Sequence, residues 1–588
     1  MIQLQGISKS FGERVLFEDI NIVVGPRERV GLVGRNGMGK STLFRIILGE
    51  EKEDEGSIAI PKGYRIGALE QHLDFSGKTI LDEVISALPD DQVYDHWRGE
   101  KILFGLGFSD NDLSRAPSEF SGGYQIRVKL AKVLVSAPNL LMLDEPTNYL
   151  DIVSLRWLAE FLKTFPGEVL MITHDRGFMD LVSDHIMGIH RKKVKKIKGK
   201  TRKYYEQLEI DEEVYEQTRQ NQEKKKKELE NFITKFSAKA SKARQANSKK
   251  KIIDKMDEIE MLDQLPDLSF SFNYKDIPSK FPVEVKNLSF GFDADDLLFR
   301  NLNFSVAKGD CIGIIGKNGR GKSTLLNVLA DELNPIEGET WFAPGVERGH
   351  FGQTNIERLH KSNNIIKEIQ SMNVELGLTQ VRSICGAMMF PGDDAEKSIS
   401  VLSGGEKARV MLGKILAHKT NVLLLDEPTN HLDMESIEIL SSEIARFQGV
   451  SFIVTHSELL LRDLVNKLII FKDGNALFFD GGYKEFLAKI GWDDDLPSER
   501  KVEKKEPAKP ISKKESGKNG SIENVVNKEE IARVEEEIIK LEELISKFEG
   551  LCQAKSQKGE DIAEVTATLG KLHKKMDIKF QELEDLTD

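Results

Sequence analysis

Hydrophobic positions in this chain gather into short, nearly continuous runs that end abruptly in glycine or in charged residues. "ERVGLVG" (28–34), "NLLMLDEP" (139–146) and "GEVLMITH" (167–174) are three such runs, and "DCIGIIG" (310–316), "NVLLLDEP" (421–428) and "GVSFIVTH" (449–456) are three more. Such short apolar runs read as strands. "TLFRIILG" and "TLLNVLA" follow the first run of each set and predict a helix directly after the strand. The pattern changes between the two sets. From Lys200 to Leu265 the chain passes without a single Gly or Pro, which predicts long helices. Leu229, Phe232, Ile233 and Phe236 form one narrow apolar stripe, and Ile252, Met256, Ile259 and Leu262 form another. Two such stripes predict the arms of an antiparallel helical hairpin. From Trp492 to Asn527 the chain is rich in Lys, Glu, Ser and Pro and reads as a disordered tether. Heptad-like stripes then run from Ile531 to Phe548 and from Ile562 to Leu586, predicting a second, coiled-coil hairpin.

The two sets of strands belong to an internal repeat. "GRNGMGKST" (34–42) recurs as "GKNGRGKST" (316–324), "SGG" at Ser121 recurs at Ser403, and "LDEPTNYLD" (143–151) recurs as "LDEPTNHLD" (425–433), all at one constant offset. Gln71 and Gln353, and His174 and His456, keep the same offset. Two homologous domains follow, with neither half carrying an insertion relative to the other between these motifs.

Length and composition agree. A chain of 588 residues exceeds what one core supports, and 39% hydrophobic with 31% charged residues suits a globular protein with some highly charged helical segments. No apolar stretch approaches the roughly 18 to 20 residues that span a bilayer, and the N-terminus lacks a signal-peptide layout. Three widely spaced cysteines suggest no disulfide framework and a reducing compartment.

The repeated motifs carry phosphate chemistry. A strand, "GxxxxGK[ST]" and a helix form the phosphate-binding loop in its required context. Its glycines, Gly34, Gly37 and Gly39 in one half and Gly316, Gly319 and Gly321 in the other, let backbone N–H groups converge on phosphate oxygens. Asn36 and Asn318 lie inside these loops, and Thr42 and Thr324 close them. Lys40 and Lys322 are placed to reach phosphates, and Ser41 and Ser323 to hold Mg²⁺. Asp144 and Asp426 end an apolar strand, where open α/β sheets bind ligands, and fit as Mg²⁺-side groups. Glu145 and Glu427 come one residue later and can polarise an attacking water. His174 and His456 end the next strand, within reach of a terminal phosphate.

Phosphate loop, Gln, "SGG", "LDEPTN" and His, in that order and spacing, resemble the ATP-binding cassette (ABC) ATPases. Twin cassettes with "DEPTNHLD" and no membrane span resemble the ABC-F subfamily, mostly ribosome-binding translation factors. The resemblance implies an α/β fold: two tandem cassettes at 1–198 and 279–491, a helical-hairpin linker at 199–278, a tether at 492–527 and a C-terminal coiled-coil hairpin at 528–588. That C-terminal hairpin is similar to the one in Uup-type members. Two composite ATP sites with Mg²⁺ are also implied. The first pairs Lys40, Ser41, Gln71, Asp144, Glu145 and His174 with Ser403, Gly404 and Gly405. The second pairs Lys322, Ser323, Gln353, Asp426, Glu427 and His456 with Ser121, Gly122 and Gly123. Gln71 and Gln353 join the serines and aspartates as implied Mg²⁺ ligands. Phe11 and Phe292 match the position that stacks on adenine, although packing explains a Phe there equally well. Ser457 departs from the first half, which has Asp175.

One feature of the linker stands apart in a chain of net charge −12: residues 231–253 hold no Asp or Glu. Lys235, Lys239, Lys242, Arg244, Lys249, Lys250 and Lys251 lie in this stretch, placed at or near the hairpin tip. Exposed bases of this kind bind phosphate backbones in a salt-sensitive way, whereas an ordinary solvated helix mixes signs. The expected partner is the ribosome, through tRNA and rRNA. Branched DNA is the alternative, and the engine of a membrane transporter a lesser one. The expected state is a cytoplasmic monomer whose two cassettes pair with each other.

Overall fold

The computed structural model describes residues 1–492 and 575, except 13, 70–74, 237–267, 294–296, 353–355, 357, 431 and 473; of 222–223 and 232–236 it describes the backbone alone. Among these residues the chain builds the same α/β architecture twice. The first half has a six-stranded sheet in the order Ile66–Ala68, Leu140–Asp144, Glu168–Ile172, Arg29–Val33, His185–His190, Lys193–Lys198. All neighbours are parallel except the last pair. The second half repeats this with Arg348–Phe351, Val422–Asp426, Val450–Val454, Cys311–Gly316, Lys467–Lys472 and Asn475–Phe479. Each of the six apolar runs read from the sequence supplies a parallel strand, buried along its length as an inner strand must be.

A three-stranded antiparallel sheet accompanies each: Ile2–Phe11 between Arg14–Val24 and Glu55–Ala59, and Val283–Gly291 between Leu297–Val306 and Glu337–Phe342. It buries one face only, so its strands alternate and carry no continuous apolar run. A helical layer with the "SGG" helices Gly122–Val135 and Gly404–Leu416 packs on the other side of the parallel strands.

The equal motif spacing conceals two compensating changes, a correction to the expectation of insertion-free halves. The helix His96–Gly105 corresponds to Leu378–Ala387 at the offset of the motifs, whereas the helix before it, Ile80–Ile85, corresponds to Ile365–Gln370 at a larger one. The second half is therefore slightly longer before this helix and shorter after it by the same amount. Buried ion pairs fix the alignment. Glu83 binds Lys132 at 2.6 Å, and Glu368 binds Lys414 at 2.6 Å, each from that earlier helix to the "SGG" helix. The two lysines keep the motif offset and the two glutamates do not.

The two halves meet in reciprocal contacts. Ile152 inserts into the second half's hydrophobic cluster beside Ile315 and Leu461, and its counterpart Met434 inserts into the first half's core. Both are almost fully buried. After the first half, Thr201–Phe236 forms one 36-residue helix, about 54 Å long at 1.5 Å per residue. Tyr204, near its start, packs into the first core. The hairpin's tip and second arm, the acid-free run beyond Phe236, the tether after Trp492 and the coiled coil apart from Lys575 lie outside the described residues. Trp492 itself is buried beside Tyr483 and Phe486, so it belongs to the second half's core rather than to a tether. Among the described residues no helix is long and apolar enough to cross a membrane.

Candidate functional site

The phosphate loops sit between the central strands Arg29–Val33 and Cys311–Gly316 and the helices Lys40–Leu48 and Lys322–Leu329. Gly39 and Gly321 occupy the position before each helix with φ of 92° and 102°, a region open to glycine. A Cβ on Gly39 would stand 3.1 Å from Leu16 and Phe17, so a side chain there would have to push both aside as well as strain the backbone. Lys40 Nζ donates to the carbonyls of Gly34 and Arg35 at 2.6 and 3.2 Å. Lys322 Nζ donates to Gly316 O, Lys317 O and Asn318 Oδ1 at 2.8, 3.1 and 3.1 Å. Both ammonium groups thus curl back over their own loops, which is the place an incoming phosphate must occupy. Burial pulls their pKa values down, against the nearby carboxylates.

Strand and loop geometry fix the acids. Ser41 Oγ donates to Asp144 at 3.0 Å, and Ser323 donates likewise to Asp426. Each site therefore offers one hydroxyl and one carboxylate side by side. Among the described residues no three His, Cys, Asp or Glu converge as a metal cage. A two-donor set fits Mg²⁺, which keeps waters and takes its remaining ligands from phosphate oxygens. Gln71 and Gln353 lie outside the described residues.

Glu145 and Glu427 adopt left-handed backbone, φ 49° and 46°. This conformation is rare outside glycine and clusters at functional positions. Their own N–H groups anchor it, donating to Ile172 O and Val454 O at 2.9 Å. The turn swings each carboxylate into the site rather than along the strand. Oε1 of both is buried and accepts no hydrogen bond; the rings of His174 and His456 stand 3.3 Å from these atoms. Burial, and then the neighbouring Asp144 or Asp426 charge, pushes both glutamates up to about 8. His456 Nε2 also lies 3.1 Å from Asn318 Oδ1, and burial with the Lys322 charge holds its ring neutral. Each site thus presents a buried carboxyl able to take a proton, with an imidazole beside it.

One continuous cavity of about 1880 Å³ joins both phosphate loops, both glutamates and both histidines. Phe11 and Phe292 stand at its wall, Phe292 largely exposed and Phe11 about half exposed with Lys9 Nζ 5.0 Å from its ring centroid. Ser403, Gly404 and Gly405 line it as well. Ser121, Gly122 and Gly123 are absent from that lining. Gly123 instead packs against Tyr149, whose carbonyl accepts from Asn318 Nδ2 at 3.1 Å and so ties this segment to the second phosphate loop. The two serines also differ. Ser403 is locked in a capping box with Glu406, whereas Tyr124 stands at the matching position after Ser121 and packs on Phe108.

Three further residues that contact the phosphate loops carried no role in the sequence. Asp433 accepts from the Asn36 N–H at 3.4 Å and Asp151 from the Asn318 N–H at 3.3 Å, so each half's acid reaches the other half's phosphate loop. The final acid of "LDEPTNYLD" and "LDEPTNHLD" was the signal, since it repeats in register. Arg14, which donates to Gly37 O at 2.8 Å and lines the cavity, carried no such signal.

Comparison with known proteins agrees with the duplicated fold. The ABC transporter family model matches residues 17–148 and 299–430, and a second model of the same description matches 187–272. The chain is 32% identical over 533 residues to the "Probable ATP-binding protein YheS" of Escherichia coli strain K12, covering 83% of this chain and 82% of that one. It is 31% identical over 546 residues to "ABC transporter F family member 2" of Arabidopsis thaliana, covering 83% and 79%. Among solved structures, archaeal ribosome recycling factor aABCE1, in complex with ribosomal stalk protein aP1, shares the fold with a TM-score of 0.56 at 21% identity, covering 83% of this chain and 92% of that one. With two phosphate loops facing each other across reciprocal contacts and relatives matched over most of their length, the chain belongs to the ABC-F family of ATP-binding cassette ATPases.

Proposed function

We propose that ATP closes the two cassettes over a pair of composite sites, and that this closure works on the ribosome through the basic linker. The observation that carries the proposal is the reciprocal reach of Asp151 and Asp433 into the opposite phosphate loops. Neither site is complete within one cassette, so nucleotide occupancy and cassette contact are one event.

Within each site the chain's own groups divide the work. Lys40 and Lys322 leave their loop carbonyls to meet the phosphates, and the loop N–H groups cradle them. Ser41 with Asp144, and Ser323 with Asp426, would hold Mg²⁺, which when bound would supply charge neutralisation on the phosphate oxygens. Glu145 and Glu427 accept the proton of the attacking water as its oxygen bonds to the terminal phosphorus and the bond to ADP breaks. His174 and His456 orient the terminal phosphate, His456 as a neutral ring. Ser403 to Gly405 complete the first site, and Ser121 to Gly123, which do not line the cavity, join the second as closure carries them to it. Phe11 and Phe292 stack on adenine. The products are ADP and phosphate, and their release reopens the contact.

The ribosomal part rests on family membership, on the acid-free run of the linker and on the shared fold of aABCE1, itself named a ribosome recycling factor. A cytoplasmic place follows from that partner. Replacing Lys239, Lys242, Arg244 and Lys249 with Glu tests it: co-sedimentation with ribosomes is abolished if this run is the contact. Undiminished co-sedimentation would refute it. Competition at fixed salt between tRNA or rRNA and branched DNA separates the readings, since displacement by DNA junctions alone favours a DNA-transaction ATPase.

A further inference from the structure

The two cassettes touch across a pseudo-twofold axis where equivalent residues meet. Gly177 and Leu459 are equivalent by the offset of the repeated motifs, and a Cβ on Gly177 would stand 3.3 Å from Leu459 Cβ. The axis passes between them. Around it, equivalent positions differ between the halves, each in a complementary sense. Arg156 and Arg176 belong to the first cassette; Glu438 and Glu458 hold the same places in the second. Arg156 pairs with Glu458 at 3.1 Å, and Arg176 pairs with Glu438. Asp175 takes a hydrogen bond from the hydroxyl of Ser457, its own equivalent.

We infer that this axis is a pairing code that admits only the unlike cassette and bars contact between like cassettes of two chains. Two first cassettes would set Arg156 against Arg176 twice and two half-buried Asp175 carboxylates face to face. Two second cassettes would set Glu438 against Glu458 twice, and Leu459 against Leu459 where glycine now makes the room. Like charges juxtaposed at an interface suppress the wrong partner. The rule matters because the residues shared between cassettes, Asp151 and Asp433 with their target loops, are the same in both halves. Those two contacts would form in a like pair equally well and so do not choose the partner. The Arg35–Glu435 pair beside the first loop, at 2.7 Å, does, because Val153 holds the place of Glu435 in the first cassette, and it acts in the same sense as the axis. The inference rests on the cassettes closing around nucleotide and is independent of the ribosome.

The test uses the full chain. A chain with both Gly177→Cys and Leu459→Cys, mildly oxidised, should close an internal disulfide, because the 3.3 Å between the two Cβ positions needs to open by only a few tenths of an ångström to reach the roughly 3.5 to 4.5 Å of a disulfide. Chains with Gly177→Cys alone or Leu459→Cys alone, run beside the parent to account for its own three cysteines, should give no chain-to-chain link at the new cysteine. Charge reversal supplies the second arm. Arg156→Glu with Arg176→Glu, or Glu438→Arg with Glu458→Arg, should lower ATP turnover at low salt by roughly tenfold or more. All four changes together should restore it to near the parent. Like-with-like cross-links from the single-cysteine chains, or four-way reversal no better than either pair, would overturn the inference. If a reversed pair fails to fold, as thermal unfolding reports, the cysteine arm still decides. No readout involves ribosomes, so failure here leaves the ribosomal proposal standing.

Discussion

Glu145 and Glu427 hold protons that an exposed carboxyl would release. Their pKa stands near 8 in the folded chain against an ordinary 4.5, so between those values the folded state binds protons that the unfolded state has lost. Stability from these groups therefore falls as pH rises from about 4.5 to 8. A chain with both changed to Gln should unfold at higher temperature than the parent at pH 8, with the gap closing toward pH 5; a constant gap in thermal scans would contradict the burial argument. As proton acceptors the same groups must be ionised, so kcat/KM for ATP should climb with pH through about 8, since that ratio reports the free enzyme. The Gln chain should lose turnover by roughly 10²- to 10⁴-fold together with that limb. At this scale much of the site was legible, because phosphate loops and strand-end acids are fixed by local spacing. Asp151 and Asp433 were legible as repeats but not as roles, since their partners lie in the opposite half, and no local pattern encodes a contact between halves.

Helices and strands show where local pattern runs out. Continuous apolar runs mark the inner parallel strands correctly, because burial on both faces leaves no choice of residue. The compensating length changes around Ile80–Ile85 and Ile365–Gln370 left no such trace, since motif spacing reports only the total. What reveals them is a buried ion pair. Glu368 is fully buried, and Lys414 first, then Asn363 and His360, hold its pKa down against burial. Removing one partner of a buried pair leaves an uncompensated charge. Lys414→Met should thus destabilise the second cassette by about 3 kcal/mol, and adding Glu368→Gln should recover most of it. The midpoint of that cassette's thermal transition measures both, and a loss unaffected by Glu368→Gln would show that packing of the lysine stem, not charge, was at stake.

For the whole molecule, Ile152 and Met434 exchange places between cores, and the two Asp–loop contacts cross the same interface. Such an interface couples whatever happens at the phosphate loops to the relative placement of the cassettes, and so to the helix Thr201–Phe236 that leaves the first core at Tyr204. The duplication was plain in the sequence, but the sense of each cross-contact was not, because it depends on which of two equivalent residues faces which. If ATP-held closure is the state that engages the ribosome, a chain that binds ATP without hydrolysing it should be held there. Co-sedimentation of the chain carrying Glu145→Gln and Glu427→Gln with ribosomes, with and without ATP, decides this. That chain should bind ATP, stay closed and pellet with ribosomes only when ATP is present; a chain that binds ATP yet remains in the supernatant would contradict the coupling of closure to the ribosome.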